Sequence, residues 1–355
     1  MVMQTHQPLQ LVHLELLHNY STLTSLTLSG DPVLRNVWRL NAPREGFKHE
    51  FVLRSIFALS ALHMAMFATD PETKQQHLQR AQTEHSIALR ATAAALRHAS
   101  AANCSAVFIS ATLTFLYAWA CPRQPGDIFL VSSSSSPSGQ AADWVFLLRG
   151  IRTIGEAWAD ELKTGPFGSM MRLGRESILS EDGKATLVAS PAWQTTAEHG
   201  QFSYLRRTVM RAASPQDAPI YGKYIDTLER GFAYTYRSMG AINPQGQTTT
   251  TPSTPSTEGG ASSAGSTVAG PALTSSVYYW LYCIEDDFLH LIVQRRPLAL
   301  VVFAHFVVLL RVLSSCWWMQ GWTTHLMQEI WELLDEDHRL WICWPIEELG
   351  WRPST

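Results

Sequence analysis

The chain has 355 residues, enough to bury a substantial hydrophobic core as one large domain or two smaller ones. Its 27 lysines and arginines stand against 30 aspartates and glutamates, a net charge of −3 that excludes a strongly basic nucleic-acid-binding protein. Charged residues make up only 16% of the chain, hydrophobic residues make up 46%, and 13 residues are tryptophan. The composition therefore indicates an unusual amount of aromatic surface to bury.

The sequence predicts an intracellular protein without a membrane span. The first ten residues are polar and lack the apolar core of a signal peptide. The apolar stretches 101–121 and 298–310 are interpreted as buried helices, because hydroxyl side chains dilute the first and the second is too short to cross a bilayer. The cysteines are odd in number and widely spaced, which favours reduced thiols over disulfides. They are Cys104, Cys121, Cys283, Cys316 and Cys343.

Helical periodicity runs through nearly every ordered stretch, and the alternation typical of strands is scarce. Asp70-Pro71-Glu72 supplies an N-cap aspartate and an early proline, and apolar residues three and four apart follow as far as Leu96. Residues 103–120 are apolar all round, which predicts a helix in the middle of a bundle. Further helices are predicted over 144–158, 277–294 and 322–334. The sequence therefore predicts an all-α fold, a single helical bundle of about ten helices.

Two segments differ from the rest in composition. Residues 131–140 include five consecutive serines, and residues 243–274 consist mostly of Thr, Ser, Pro, Gly and Ala. Neither can bury enough apolar surface to offset the entropy of ordering, so both are predicted to be disordered. We interpret them as insertions within one helical domain that spans residues 8–350.

The common catalytic motifs are missing from the sequence. It has no Gly-x-Ser-x-Gly elbow, no His-Glu-x-x-His pair and no phosphate-binding loop. The acidic run Glu285-Asp286-Asp287 is interpreted as a solvated helix start, because consecutive carboxylates on a helix point in different directions. The sequence therefore predicts neither a metal nor a cofactor.

Two histidines, His63 and His305, lie within apolar helical stretches. A neutral imidazole in such a place usually finds a hydrogen-bond partner in the core. A desolvated histidine beside a pocket is also suited to proton transfer or to binding a ligand hydroxyl. Both interpretations stay open for each histidine.

Tryptophans concentrate near the C-terminus, where seven of the 13 fall between residues 317 and 351. Trp317, Trp318 and Trp322 lie within six positions, and Gly321 permits a turn among them. Such a group can fill a core seam, or it can form the rigid wall of an apolar cavity.

Several sequence runs, taken in order, resemble one known family. In the C-terminal part they are residues 295–310 (RRPLALVVFAHFVVLL), 316–322 (CWWMQGW) and 341–350 (WICWPIEELG). In the N-terminal part they are residues 14–20 (LELLHNY), 38–39 (WR), 57–63 (FALSALH) and 144–152 (WVFLLRGIR). Over most of its length the chain resembles the C-terminal domain of fungal zinc-cluster transcription factors of the sterol uptake control type. The resemblance implies an all-α domain, often dimeric, whose hydrophobic pocket for a sterol-like ligand controls transcription.

That family places a cysteine-rich zinc cluster ahead of this domain, and no residue here matches it. Direct DNA binding is therefore not expected. Three explanations stay open: a regulator that has lost its DNA-binding part and depends on a partner, a truncated sequence, and a pocket domain recruited as an enzyme.

The first functional hypothesis is a stand-alone regulator domain in the nucleus that binds a lipophilic sterol, terpenoid or polyketide. Its predicted ligand-binding residues are Phe115, Trp119, His305, Trp317, Trp318 and Trp322. The alternative is a cytoplasmic, cofactor-free cyclase or pericyclase of the Diels–Alder type in fungal secondary metabolism. Such an enzyme holds the reacting ends of a terpenoid or polyketide together and polarises a carbonyl. Its candidate catalytic residues are His305, Tyr282, Tyr279, His63 and Arg311.

Overall fold

The computed structural model describes residues 11–123, 144–171, 187–238, 277, 280–281 and 283–353. Every regular element among these residues is helical and none is a strand, which confirms the predicted all-α class. Nine helices of this described part have 12 or more residues, close to the predicted number. The predicted loops over 131–140 and 243–274 lie outside the described residues.

The described residues divide into two compact units, and each is described by itself. The first unit holds residues up to 121 together with 147–171. The second holds 122–123, 144–146 and the described residues from 187 onward. The single domain over 8–350 stays a prediction.

The first unit is built around one long apolar helix. Helix α4 packs against α1, α5 and α6 and forms the core of this unit. The elements are α1 (Leu11–Thr22), a 3₁₀ turn (Thr24–Thr27), α2 (Pro32–Asn36), a π-helical turn (Val37–Asn41), α3 (Ala42–Gly46), α4 (Glu50–Phe67), α5 (Pro71–Arg97), α6 (Cys104–Ala120), α7 (Trp144–Ala157, from residue 147 on) and α8 (Ala159–Thr164).

Helix α5 begins where its sequence predicts. The Asp70 carboxylate accepts hydrogen bonds from the backbone N–H and the hydroxyl of Thr73, at 2.8 and 2.7 Å. This capping satisfies a first-turn donor and holds the pKa of Asp70 below its usual value. Helix α6 is buried on nearly all sides, as its apolar sequence predicts.

Helix α4 is the one helix in the described residues that is long and apolar enough to cross a membrane, and 72% of it is buried inside the protein. It carries Arg54, whose guanidinium donates to Glu84 on α5 at 2.9 Å and to Glu50 at 2.9 Å. The imidazole of His13 on α1 lies 3.0 Å from the other Glu84 oxygen. This buried cluster of charges identifies α4 as the core helix of the unit.

Three hydroxyl groups also meet inside this core. The Ser110 hydroxyl on α6 lies 2.9 Å from that of Ser55 on α4 and 2.7 Å from that of Thr92 on α5. Each hydroxyl is buried, so the contacts satisfy groups that would otherwise be costly to remove from water.

The second unit is built around α13, whose residues are almost all buried. Helix α13 packs against α11, α14 and α16, and α10 packs against α11. The elements are α9 (Pro191–Gln194), α10 (Ala197–Ala212), α11 (Ala218–Ser238), α12 (Asp286–Val293), α13 (Pro297–Leu310), 3₁₀ turns at Arg311–Leu313 and Trp317–Met319, α14 (Trp322–Leu333), α15 (Glu336–Arg339), a 3₁₀ turn at Leu340–Ile342, and α16 (Cys343–Leu349).

The prediction of one continuous helix over 277–294 is wrong. The chain is extended at Glu285, and α12 begins at Asp286. Tyr224 of α11 holds this break, because its hydroxyl accepts from the Glu285 N–H at 2.9 Å and donates to the Asp287 carboxylate at 2.8 Å. Helical periodicity continues across the break in the sequence, and the tertiary hydrogen bonds to Tyr224 override it.

Candidate functional site

His305 lies in the middle of α13, where its side chain is 2% exposed. Its Nδ1 lies 2.8 Å from the carbonyl oxygen of Val301, one turn earlier. A carbonyl can only accept, so Nδ1 carries the proton and donates. The other ring nitrogen, Nε2, is then an acceptor, and among the described residues it has no hydrogen-bond partner.

Two aromatic rings of the described residues contact the imidazole of His305, and a third ring contacts both of them. Its imidazole stacks on Trp344 of α16, with centroids 5.5 Å apart, and lies 6.5 Å from Phe202 of α10. Phe232 of α11 contacts Phe202 at 5.0 Å and Trp344 at 6.0 Å. We call these four residues the His305 cluster. The cluster presents one hydrogen-bond acceptor in apolar surroundings.

Burial lowers the pKa of His305 from 6.5 to about 4, because an imidazolium ion is poorly solvated there. The hydrogen bond to Val301 opposes this shift only in part. The ring is therefore neutral at physiological pH. A neutral imidazole with an acceptor nitrogen in aromatic surroundings matches a ligand that donates a hydrogen bond, such as an alcohol.

Carboxylates of α10 and α11 form a polar group within the second unit. The Glu229 carboxylate accepts from the indole N–H of Trp193 at 3.0 Å and lies 2.8 Å from Nδ1 of His199. Tyr236 donates its hydroxyl to Glu198, and burial together with that carboxylate raises the pKa of the phenol. The side chains of Trp193, His199 and Tyr236 therefore already have carboxylate partners.

The three predicted wall tryptophans surround the turn before α14. Trp318 is 2% exposed and Trp322 is 4% exposed, while Trp317 is partly exposed. Gly321 has a φ of 78°, which confirms the predicted turn. The ring contacts of His305 within the described residues are with Phe202 and Trp344, so they do not include these tryptophans.

The other two predicted ligand residues belong to the first unit. Phe115 and Trp119 lie on α6, are 2% and 3% exposed, and place their ring centroids 5.2 Å apart. Their approach to His305 and the C-terminal tryptophans stays a prediction.

The five candidate catalytic residues do not share one environment. His63 lies in the first unit, where its Nδ1 is 3.0 Å from the Thr24 hydroxyl and burial lowers its pKa to about 4. Arg311 is on the surface and pairs with Glu348 through the carboxylate at 2.8 Å and the carbonyl at 2.6 Å. Tyr279 and Tyr282 lie outside the described residues. Of the five, only His305 combines full burial with an available acceptor among the described residues.

Sequence reasoning missed Phe202 and Trp344 as partners of His305, and Phe232 as the ring that contacts both of them. Phe202 does belong to a buried stripe of α10 with Leu205 and Val209, at helical spacing. That stripe predicts a core-facing residue, but periodicity does not tell which residue of another helix it meets. Among the described residues, no group of three or more His, Cys, Asp or Glu side chains is arranged to hold a metal ion.

Two proteins of known name are similar to parts of this chain. Sterol uptake control protein 2 of Candida albicans is 28% identical over 148 residues, which are 41% of this chain and 19% of that protein. The Zn(2)-C6 fungal-type transcription factor afumD of Aspergillus fumigatus is 29% identical over 84 residues, 22% of this chain and 22% of that protein. No protein-family model matches the chain.

The matched part of the chain therefore spans about a fifth of the length of each relative. The similarity is partial, and it is to fungal proteins of transcription and sterol uptake control.

Proposed function

We propose that this chain is the ligand-responsive part of a fungal transcription regulator that acts in the nucleus. The relatives support the regulatory role, because one is named a transcription factor and the other a sterol uptake control protein. The all-helical architecture is compatible with a regulatory domain. The two comparisons give no support to the catalytic alternative.

The ligand is proposed to be a lipophilic alcohol of the sterol or terpenoid class, bound in the second unit. The observation that carries this proposal is the acceptor nitrogen Nε2 of His305, which lies in a cluster of aromatic rings. A ligand hydroxyl that donates to this nitrogen would satisfy an acceptor in aromatic surroundings, and the ring skeleton would lie against Trp344 and the two phenylalanines.

A binding experiment tests the ligand class directly. Purified chain is titrated with ergosterol and with its 3-methyl ether, and quenching of tryptophan fluorescence reports binding. Ergosterol is expected to bind at least about tenfold more tightly, since the ether cannot donate to Nε2. Equal affinities of the two sterols would contradict recognition through the hydroxyl.

Two matched variants test whether the preference for ergosterol depends on His305. His305→Phe keeps an aromatic ring and removes the acceptor, so it should lose the preference for ergosterol. His290→Phe makes the same change at an exposed position of α12 and should bind as the unaltered chain does. If both variants bind equally well, the His305 cluster is not the binding site.

A reporter experiment tests the regulatory role separately. The chain is fused to an unrelated DNA-binding domain, and transcription is measured in fungal cells depleted of sterol and then resupplied. We expect transcription to respond to sterol in the original fusion and not in the fusion that carries His305→Phe. A constant output from the original fusion would contradict a sterol-responsive regulator.

A further inference from the structure

The guanidinium of Arg123 occupies an unusual position in the second unit. It lies over the indole ring of Trp322, with Cζ 5.2 Å from the ring centroid. A Cβ atom at Gly321 would stand only 3.3 Å from Nη2 of this arginine. The glycine therefore allows the cation to approach the backbone closely at the turn before α14.

This cation has no acidic partner among the described residues. Its Nε is buried without a hydrogen-bond partner, and no carboxylate of the described residues lies within ion-pair distance. Burial lowers the pKa of Arg123, and no acidic neighbour opposes that effect. A partly desolvated cation without a counter-charge is costly, and stacking on one aromatic ring recovers only part of that cost.

Two other arginines of the chain have hydrogen-bond or ion-pair partners of the kind that Arg123 lacks among the described residues. Arg339 makes the same kind of stack, with Cζ 4.8 Å from the ring of Trp331, and its Nε also donates to the Trp331 carbonyl at 3.0 Å. Arg311 pairs with the Glu348 carboxylate at 2.8 Å. Arg80 also has a buried guanidinium nitrogen without a partner, but only Arg123 of the two has its guanidinium over an indole ring among the described residues.

We propose that Arg123 binds the carboxylate of an amphipathic ligand whose apolar part lies against Trp322. The guanidinium fork matches a carboxylate, which would accept the unsatisfied Nε–H and neutralise the charge. The ring of Trp322 is an apolar neighbour, which favours a lipophilic acid over a small inorganic anion. The inference goes beyond the proposed function, because it does not involve His305 and it concerns an acid rather than an alcohol.

The first test uses the unaltered full chain. Calorimetric titration with laurate and with dodecanol compares a carboxylate with a neutral alcohol on the same alkyl chain. Laurate is expected to bind about tenfold to hundredfold more tightly, the range for a charge-assisted pair. Equal affinities would overturn the proposal, and so would sulfate binding as tightly as laurate.

The second test uses variants. Arg123→Gln should lose the preference for laurate and leave dodecanol binding unchanged, while Arg123→Lys should keep part of the preference because it retains the charge. Arg339→Gln removes the other stacked arginine and should bind laurate normally. Unchanged laurate affinity in a folded Arg123→Gln variant, judged by circular dichroism, would overturn the assignment.

Ergosterol binding in the same variant separates this proposal from the previous one. Arg123→Gln is expected to bind ergosterol with its original affinity, and His305→Phe is expected to bind laurate normally. If ergosterol fails to bind the unaltered chain while laurate binds through Arg123, only the sterol proposal fails.

Discussion

The imidazole of His305 stacks on the indole of Trp344, with their ring planes at 27°. The two residues are 39 positions apart in the chain and belong to α13 and α16. The stack covers one face of a neutral ring whose Nδ1 proton is already donated to Val301. It thereby places the remaining acceptor, Nε2, in aromatic surroundings.

The buried histidines predict how stability depends on pH. His63, His85 and His305 have pKa values lowered to about 4 in the folded protein, against 6.5 in the unfolded chain. Between these values the unfolded chain binds more protons, so the free energy of unfolding should fall as the pH decreases from about 6.5 to 4. The loss is up to about 1.4 kcal/mol per pH unit for each histidine.

Urea unfolding at about pH 7, 6 and 5 measures this dependence. The His305→Phe variant should show a shallower decline, because one of the three titrating groups is gone. An identical decline in the variant and the unaltered chain would show that His305 ionises normally in the folded state.

Replacing Arg54 by methionine should destabilise the first unit by about 3–5 kcal/mol, because Glu84 would keep its buried charge and lose a cation. Arg152→Met is the matched control, since Arg152 pairs with Glu156 on the surface of α7 at 2.8 Å and such pairs contribute less than about 1 kcal/mol. Chemical unfolding followed by circular dichroism compares the two variants. Similar losses in both would mean that the Arg54 cluster is solvated.

Tyr20→Phe should leave the protein as stable as before or more stable by about 1 kcal/mol. The Tyr20 side chain is fully buried, and its hydroxyl has no hydrogen-bond partner among the described residues. Tyr224→Phe should instead cost about 1–3 kcal/mol, because its hydroxyl joins the Glu285 N–H to the Asp287 carboxylate. Thermal unfolding measures both. A marked loss of stability in Tyr20→Phe would reveal a partner for that hydroxyl, such as a bound water.

Gly321→Ala should destabilise the second unit by about 1 kcal/mol or more, because its φ of 78° is strained for alanine and the new Cβ would press on Arg123. Gly200→Ala should stabilise α10 by about 0.5–1 kcal/mol, since no atom lies within 4 Å of the added Cβ and alanine favours helix. The two variants are compared by thermal unfolding, and effects of the same sign would contradict the backbone argument.

The structural features predicted correctly from the sequence are those that depend on residues close together along the chain. The Asp70 cap, the apolar course of α6 and the turn at Gly321 follow from local spacing and residue type, and the structure confirms them. The break before Asp286 was not predictable in this way, because it depends on the hydroxyl of Tyr224, more than sixty residues away.

The candidate site was predictable only in part for the same reason. His305 was recognised because a histidine within an apolar run is conspicuous in any sequence. The sequence does not distinguish the other rings of the His305 cluster from other core residues, because their mutual contacts form only when the helices pack together. They are Phe202, Phe232 and Trp344. The unpaired state of Arg123 is likewise invisible in the sequence, since it depends on which acids the fold brings near.

The hydroxyl contacts of Ser110 decide how α6 is oriented. Apolar residues surround this helix, so burial alone favours no particular rotation about its axis. The Ser110 hydroxyl faces both Ser55 and Thr92 at one rotation of α6, and any other rotation would break both of these buried contacts. The positions of Phe115 and Trp119, on the same helix, are thus set by three hydroxyl groups rather than by the aromatic rings themselves.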